Sequence, residues 1–375
     1  MKRINIVGWY GTETIGDRAI LAGLVNLFSL VIDEFEIVLG SLCPTFSLRT
    51  VLEDGEFLQQ ISGGKMKGIS LYDTTIKSEI KKSVQKSDFL FFGGGPFMDI
   101  PATKMLTFAF EYAKKCGVRT GVLGCGYGPI RESKYKEMVK SLVSASDVVI
   151  FRDAISKQEY VKESGDDRCL SSIDPAVFCA VFAKEILSAN QPERADVVFN
   201  FRDVTLDSYD SVKAAEYRNY FCSLISKESD ENGENVHLVP MHTYYVGGDD
   251  RKYLYELQKD CGSDKIRLQS VPLSLFDTMK AYYNAKYCYG MRFHSIVLQT
   301  ILNGRNIILD YTDPTKGKTI GFLKQLEVEG CYQSSYVSLT QGNYGNLAPA
   351  ENVSFSQEKI DMYRKVYINE LSKLL

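Results

Sequence analysis

Four basic side chains lie close together in the last third of the sequence and could bind an anion: Arg292, His294, Lys316 and Lys318. A guanidinium can hold a carboxylate or a phosphate with two hydrogen bonds, and free backbone N–H groups at the start of a helix favour negative charge. His294 lies at such a predicted helix start. The Arg-Phe-His triplet also fits a surface turn with ordinary solvated cations, so its spacing alone leaves both interpretations open.

The elements that would position these cations are two strands and a helix. Tyr287 to Tyr289 form a short extended segment that Gly290 ends, and Ser295 to Leu302 place apolar residues at helical spacing. Asn306 to Leu309 is an apolar run of the length expected for a buried parallel strand, and a polar loop from Tyr311 to Lys318 follows it. The cations would therefore gather at the carboxyl ends of strands, where open α/β sheets bind ligands.

Two further arginines and one histidine stand where predicted strands end. Arg152 follows the apolar segment from Ser146 to Phe151, and Arg202 follows the segment from Val197 to Phe201. Each could contribute to an anion site, but each precedes an aspartate, and spacing alone favours a local ion pair for either arginine. His242, after a further predicted strand, could line the same site or could be an ordinary hydrogen-bonded loop residue.

Glycine-rich segments follow three predicted strands of the first half. The first of these loops leads into a helix for which Asp17 is a candidate N-cap. The second contains Gly94 and Gly95 and is followed by Asp99, and the third runs from Gly124 to Pro129. Because glycine has no Cβ, such loops let the backbone approach a ligand closely. A tight crossover between neighbouring segments of the chain is an equally good explanation.

Length and composition indicate a globular protein with two domains. A chain of 375 residues is too long for one comfortable core, and its 45% hydrophobic and 24% charged content is ordinary. The net charge is only −3, so we expect no nucleic-acid surface and place any anion site in a local cluster. Nine cysteines without a C-x-x-C pair predict reduced thiols in a cytoplasmic protein.

Neither a metal, a cofactor nor a membrane-spanning helix is predicted. The three histidines show no zinc-ligand spacing. The longest apolar stretch, Ile20 to Ile32, is interrupted by Asn26 and Ser29 and is too short to cross a bilayer. The sequence leaves open whether the protein associates peripherally with a membrane.

Three segments are interpreted from local signals. Residues 41–87 are predicted to be the least regular part, with polar turns at Glu53-Asp54-Gly55 and at residues 62–64. The polar stretch from Ser188 to Ala195 is predicted to link the two domains. Ser354, with a glutamine three residues later, resembles a capping box for a last helix that runs to Leu375.

An ordered set of motifs resembles the polysaccharide pyruvyl transferases. The chain contains GMRFH at 290–294, YTDPTKGKTIGF at 311–322, GGG with an acid at Asp99, G-x-G-x-G-P, R-D-x-x-S beginning at Arg152, and D-P-A at 174–176. Counting back from the final Gly-Phe places Lys318 at the family's lysine, with Lys316 as a substitute. The opening loop departs from the family at Glu13, Thr14 and Arg18, which leaves its acceptor-side role in doubt.

The resemblance implies two Rossmann-like α/β domains facing across a cleft, similar to B-type glycosyltransferases. We expect an acceptor-side domain at 1–187, a donor-side domain at 196–350, and a C-terminal helix at 351–375 that crosses back to the first domain. The family transfers the enolpyruvyl group of phosphoenolpyruvate to two sugar hydroxyls, forming a cyclic pyruvate ketal in surface polysaccharide biosynthesis. The acceptor would be a sugar or a lipid-linked oligosaccharide.

Site roles follow from the same resemblance. Arg152, Arg292 and Lys318 are expected to hold the carboxylate and phosphate of the donor, and His294 to protonate its methylene carbon. The catalytic residues are then Arg292 and His294. The residues expected to bind substrate are Arg152, Lys318, Arg202, Asp17, Gly94, Gly95, Asp99 and His242.

Two alternative functions stay open at this point. The same architecture would serve a glycosyltransferase that uses a nucleotide sugar. The altered Thr14 and Arg18 are also compatible with an inactive sugar-binding assembly subunit.

Overall fold

The computed structural model describes residues 1–204, 211–244, 248–342, 344–345, 347–351 and 353–375. They form two compact units, which we describe separately. The first comprises Met1–Cys179 together with Ser356–Leu375, and the second comprises Ala180–Phe355. The residues predicted as a linker, Ser188 to Ala195, belong to the second unit.

The first unit is built on one parallel sheet. Its strands are β1 (Lys2–Val7), β2 (Phe35–Ser41), β3 (Met66–Asp73), β4 (Phe89–Phe92), β5 (Arg119–Cys125), β6 (Val148–Phe151) and β7 (Leu170–Ser171). The order is β3-β2-β1-β4-β5-β6-β7, and every pairing is parallel. All four residues of β4, Phe-Leu-Phe-Phe, are buried, as expected for a strand covered on both faces of its sheet.

Helices alternate with these strands along the chain. They are α1 (Ile15–Ser29), α2 (Pro44–Ile61), α3 (Lys77–Gln85), α4 (Thr103–Cys116), α5 (Ser133–Ser144), α6 (Ala154–Ser164) and α7 (Ala176–Leu187). The last of these contains the boundary between the units. In α4, the buried residues Leu106, Phe110 and Ala113 recur at helical spacing and join the core on one side of the sheet.

Two predictions about the first unit are wrong. Residues 41–87 are regular, because they contain α2, β3 and α3, and Glu53-Asp54-Gly55 lies inside α2 rather than in a turn. Asp17 is not the N-cap of α1. Thr14 caps that helix, and its Oγ1 accepts the Asp17 N–H at 3.0 Å while donating to the Asp17 carboxylate.

The second unit repeats the arrangement. Its strands are β8 (Asp196–Asn200), β9 (Asn235–Leu238), β10 (Ile266–Leu268), β11 (Tyr287–Gly290), β12 (Asn306–Asp310) and β13 (Tyr336–Ser338). They form a parallel sheet in the order β10-β9-β8-β11-β12-β13. The α-helices are α8 (Ser211–Ser226), α9 (Asp250–Cys261), α10 (Leu275–Asn284), α11 (Phe293–Leu302) and α12 (Lys318–Leu326). A π-helical segment, Lys227–Glu231, and a 3-10 segment, Glu329–Tyr332, complete the described elements.

The C-terminal helix, α13 (Gln357–Leu374), belongs to the first unit. Its N-cap is Ser356 and not the predicted Ser354, and the Ser356 Oγ accepts the Lys359 N–H at 3.4 Å. Tyr367 is fully buried, and its hydroxyl donates to the carbonyl of Ile173 at 2.7 Å. The last helix is thus tied to the segment that follows β7.

Candidate functional site

A cluster of basic side chains surrounds Tyr311 in the second unit. Arg202 follows β8, Arg292 lies between β11 and α11, Tyr311 follows β12, and Lys318 is the first residue of α12. The three strands are neighbours in the sheet, so their carboxyl ends share one edge. This edge includes the place where the strand order reverses, between β8 and β11, which is where such sheets bind ligands. We call these four residues the Tyr311 cluster.

The Tyr311 ring lies between two cations. The Arg202 guanidinium is 5.1 Å from the ring centroid, and the Lys318 Nζ is 5.5 Å from it. Lys318 Nζ also donates to the Tyr311 hydroxyl at 3.4 Å. Lys316, in contrast, is exposed, and its backbone N–H donates to the carboxylate of Asp313. Of the two lysines left open by spacing, Lys318 is therefore the one that contacts the cluster.

The cations change the acidity of Tyr311. Burial by itself would raise the pKa of this phenol. The positive charges of Lys318, Arg202 and Arg292, with a hydrogen bond from Arg202, outweigh burial and lower the pKa of Tyr311 to about 8. A tyrosine in this state can give up or take back a proton near neutral pH.

Arg292 is held by a carboxylate from α9. Its Nε donates to Asp250 Oδ2 at 2.7 Å, and its Nη2 donates to Asp250 Oδ1. The same carboxylate accepts the backbone N–H groups of Met241 at 3.2 Å and of His242 at 3.0 Å. The Arg292 N–H in turn donates to Asn200 Oδ1 at 3.2 Å. Asp250 thus fixes the direction of the Arg292 guanidinium and ties it to the loop after β9.

The two candidate histidines occupy different positions. His294 is the second residue of α11 and is half-buried, with its ring centroid 5.1 Å from that of Phe293. Phe293 also lies under Lys318 Nζ, at 5.7 Å from its ring centroid. His242 is buried, at 6% exposure, and its backbone takes part in holding Asp250.

Arg152 lies at the end of β6 in the first unit and is almost completely buried, at 5% exposure. Its Nη1 is 3.4 Å from the carboxylate of Asp174, and its Nε is 3.6 Å from that of Asp153. A Cβ at Gly126 would come within 2.7 Å of the Arg152 Nη2. The motif residues Gly126, Arg152, Asp153 and Asp174 therefore form one packed ionic group.

Asp17, Gly94 and Gly95 come together at the ends of β1 and β4. A Cβ at Gly8 would lie 3.0 Å from the Gly94 Cα, and one at Gly95 would lie 2.8 Å from the Trp9 ring and 3.5 Å from the Asp17 carboxylate. Gly95 also has φ +67°, which favours glycine. Close packing between chain segments thus accounts for these glycines without a ligand.

Asp99 has one engaged and one unengaged carboxylate oxygen. Its Oδ2 accepts the backbone N–H of Arg131 at 2.8 Å. Its Oδ1 is buried and has no hydrogen-bond partner within the part of the chain that the structure describes. Burying such an oxygen without a partner is unfavourable, so Asp99 can accept a further hydrogen bond.

The unusual residues of the opening loop pair with α2. Arg18 is buried and donates to the carboxylates of Asp54 and Glu53, the latter at 3.2 Å. Glu13 is buried as well and accepts from Arg49 at 2.8 Å. Burial raises the pKa of Glu13, and the nearby arginines oppose that effect. Two of the three departures from the family motif, Glu13 and Arg18, therefore form ion pairs within the first unit, and the third, Thr14, caps α1.

Two residues of the site, Tyr311 and Asp250, are not among the candidates that the sequence suggests. For Tyr311 the sequence does contain a usable signal, namely a tyrosine directly after a predicted strand and seven residues before Lys318. Asp250 was recognisable as one of two adjacent acids, but nothing in the sequence says that it, rather than Asp249, contacts Arg292. Asp249 instead caps α9.

Across the described ranges, no three histidine, cysteine or acidic side chains are grouped so that they could hold a metal ion. No helix among the residues with described positions combines the length and apolarity that crossing a membrane requires.

Fold and site together define the class. Two parallel-sheet α/β units with the same reversal of strand order are Rossmann-like domains of the B-type glycosyltransferase kind, which confirms the predicted fold class. Similar solved structures include a UDP-GlcNAc 2-epimerase from Neisseria meningitidis bound to UDP-GlcNAc, at 12% identity over 100% of both chains with a TM-score of 0.56. Another is the Methanocaldococcus jannaschii UDP-GlcNAc 2-epimerase in complex with UDP-GlcNAc and UDP, at 12% identity over 98% of this chain and 93% of that one, with a TM-score of 0.55. These likenesses concern the fold alone.

The family to which the chain belongs is a narrower group than the proteins that share its fold. The family model described as polysaccharide pyruvyl transferase matches residues 15–314. The chain belongs to this family of transferases, as its motifs predicted. No curated protein matches it.

Proposed function

We propose that the protein transfers the enolpyruvyl group of phosphoenolpyruvate to two hydroxyls of a sugar, forming a pyruvate ketal and releasing phosphate. The observation that carries this proposal is the Tyr311 cluster, where three cations meet at the carboxyl edge of a parallel sheet. A donor with one carboxylate and one phosphate needs several positive charges close together. Membership in the pyruvyl transferase family supports the same donor.

In this proposal the second unit binds the donor. Arg292, oriented by Asp250, would hold the carboxylate or phosphate with its remaining N–H groups, and Arg202 and Lys318 would neutralise the other anionic group. His294, at the start of α11, would protonate the methylene carbon. His242 would act through its backbone, by positioning Asp250.

We assign the acceptor, a sugar or a lipid-linked oligosaccharide, to loops of the first unit. The Asp99 Oδ1, buried without a described partner, supports a hydrogen bond to a sugar hydroxyl there. Asp17 and the backbone at Gly94 and Gly95 would shape the same loops. For Arg152, the two ion pairs support a positioning role in the segment after β6, in place of the direct donor contact that the family implies.

The reaction balances without a cofactor. One sugar hydroxyl adds to C2 of the donor while C3 gains a proton and becomes a methyl group. The C2–O bond to phosphate then breaks, the phosphate leaves with the electron pair, and the second hydroxyl bonds to C2. Of the two hydroxyl protons lost, one is accounted for on C3 and the other on phosphate.

Phosphate release from phosphoenolpyruvate, measured against a panel of free and lipid-linked sugars, tests this proposal. We expect release with at least one acceptor, and a loss of about 10²- to 10⁴-fold in rate for His294→Ala. Arg292→Ala should lose about 10²- to 10³-fold. If both variants released phosphate at the wild-type rate, the site assignment would be wrong.

A nucleotide-sugar-dependent glycosyltransferase is the second candidate, because the fold is shared with an enzyme whose structure contains UDP-GlcNAc. It predicts that UDP raises the melting temperature and that phosphoenolpyruvate does not. An inactive sugar-binding subunit would bind saccharide and release phosphate from no donor.

A further inference from the structure

The Tyr311 ring packs against the core of the second unit, and its hydroxyl lies beside a cation. It receives a hydrogen bond from Lys318 Nζ at 3.4 Å, and the ring contacts the guanidinium of Arg202. The tyrosine is half-buried at the end of β12, on the strand edge where the donor is proposed to bind. A phenol at this place lies among the groups that would hold the donor.

Positive charges face Tyr311 from three directions, and one of them, Arg292, is itself paired with Asp250. Arg202 follows β8, Arg292 precedes α11, and Lys318 begins α12. The adjacent carboxylate of Asp310 is engaged elsewhere, since it accepts from Thr312 at 2.6 Å and from the Tyr336 hydroxyl at 2.7 Å. Positive charges this close to a phenol favour its anionic form. The lowered pKa of Tyr311 agrees with this geometry.

Pyruvyl transfer needs a second proton donor in addition to the one that serves C3. After the first hydroxyl has added, the phosphate is bound to C2 as an ester dianion. If the C–O bond broke without a proton, the leaving group would be the phosphate trianion, which is a poor leaving group. The second hydroxyl must also lose a proton when it attacks C2. One group that first gives and then takes a proton satisfies both requirements.

We propose that the Tyr311 hydroxyl is this group: it protonates the departing phosphate and then accepts the proton of the second sugar hydroxyl. The proposal rests on the proposed pyruvyl transfer and adds a catalytic residue to it. The C2–O bond breaks with its electrons going to phosphate, and the Tyr311 proton goes to the same phosphate. The phenolate that remains is stabilised by Lys318, Arg202 and Arg292 until the second hydroxyl restores the proton.

The experiment separates the two proton transfers in one reaction. Phosphoenolpyruvate and an acceptor sugar that supports release are incubated in D₂O with wild type, Tyr311→Phe, His294→Ala and Tyr336→Phe. Phosphate release and deuterium at C3 of the unreacted donor are measured together. Deuterium enters the donor whenever addition occurs and reverses. Tyr336→Phe is the matched control, because that tyrosine donates to Asp310 and is outside the cluster.

For Tyr311→Phe we expect phosphate release to fall by about 10²- to 10⁴-fold while deuterium still enters the donor. His294→Ala should lose both signals, and Tyr336→Phe should keep both. The alkaline decline of wild-type kcat/KM near pH 8 should also be absent from the residual activity of Tyr311→Phe, since the acid must be protonated to act.

Three results would overturn the assignment, provided that the melting temperature shows Tyr311→Phe to be folded. The variant could release phosphate at the wild-type rate, it could lose deuterium incorporation together with phosphate release, or it could keep the alkaline decline. Failure of the underlying function is recognisable separately, because wild type itself would then release no phosphate with any acceptor, and the role of Tyr311 would fall with it.

Discussion

Replacing Asp250 by asparagine tests whether this carboxylate stabilises the proposed donor site. The carboxylate accepts four hydrogen bonds, two from Arg292 and one each from the backbone of Met241 and His242. Asparagine has nearly the same volume but only one acceptor oxygen. Its NH₂ group would face N–H donors of Arg292 or of the backbone, and it cannot accept hydrogen bonds from them. The side chain of Asp250 is 2% exposed and that of Arg292 is 18% exposed, so the arginine would keep its charge with little solvent to replace its partner.

Breaking a buried ion pair by removing one partner costs about 3–5 kcal/mol. For a unit of this size, a loss of that magnitude lowers the melting temperature by roughly 6–20 °C. The matched control is Asp260→Asn, which removes a carboxylate from Arg218 in an exposed ion pair of the same unit. We expect the control to change the melting temperature very little.

Activity gives an independent measure of the same substitution. Because Asp250 orients Arg292, we expect Asp250→Asn to lower kcat/KM for phosphate release even at temperatures where the variant is fully folded. Equal melting temperatures for Asp250→Asn and Asp260→Asn would refute the energetic reasoning. Unchanged kcat/KM would refute the positioning role.

Three further predictions concern single positions. Lys318→Ala should lower kcat/KM for the donor about 10- to 100-fold. Lys316→Ala, at an exposed site, should not. Equal effects of the two substitutions in a phosphate-release assay would contradict the assignment of Lys318 to the donor site. Burial lowers the pKa of His237 from 6.5 to about 4, so the unfolded state binds a proton first as the pH falls. Stability should be complete above pH 6.5, fall by about 3 kcal/mol between pH 6.5 and 4, and level off below that; urea titrations should show a flatter pH dependence for His237→Gln. Gly126→Ala should displace the Arg152 guanidinium and lower the melting temperature. Gly55→Ala, with open space around it, should not lower the melting temperature, and scanning calorimetry compares the two variants.

Much of the secondary structure could be predicted because the signals are local. The apolar run at 306–309 and the helical spacing at 295–302 depend only on neighbouring residues, and β12 and α11 lie where these patterns predict. The turn predicted at Glu53-Asp54-Gly55 failed for a tertiary reason. An acid and a glycine are poor helix formers, but Asp54 is buried against Arg18 from another helix, and that ion pair offsets the local preference.

The site could be predicted by residue type but not by partner. Cations at strand ends were recognisable, because parallel strands bring their carboxyl ends to one edge. The choice between Lys316 and Lys318 depended on the direction in which α12 begins, which spacing does not determine. The pairing of Arg292 with Asp250 joins residues 42 positions apart, and that of Arg152 with Asp174 joins residues 22 apart. Such pairs depend on how the loops fold together.

The two sheets share a strand order but differ in how their strand-end arginines are compensated. Arg152 lies between the carboxylates of Asp153 and Asp174 and is 5% exposed, so its charge is already neutralised inside the first unit. In the second unit, Arg202 and Lys318 lie over the ring of a tyrosine and beside Arg292. A phenolate at Tyr311 would compensate part of this positive charge, and a neutral phenol would not. Arg152 is thus paired with two carboxylates and Arg292 with Asp250, and under the proposed function the ionisation of Tyr311 sets how much positive charge the Tyr311 cluster presents to the donor.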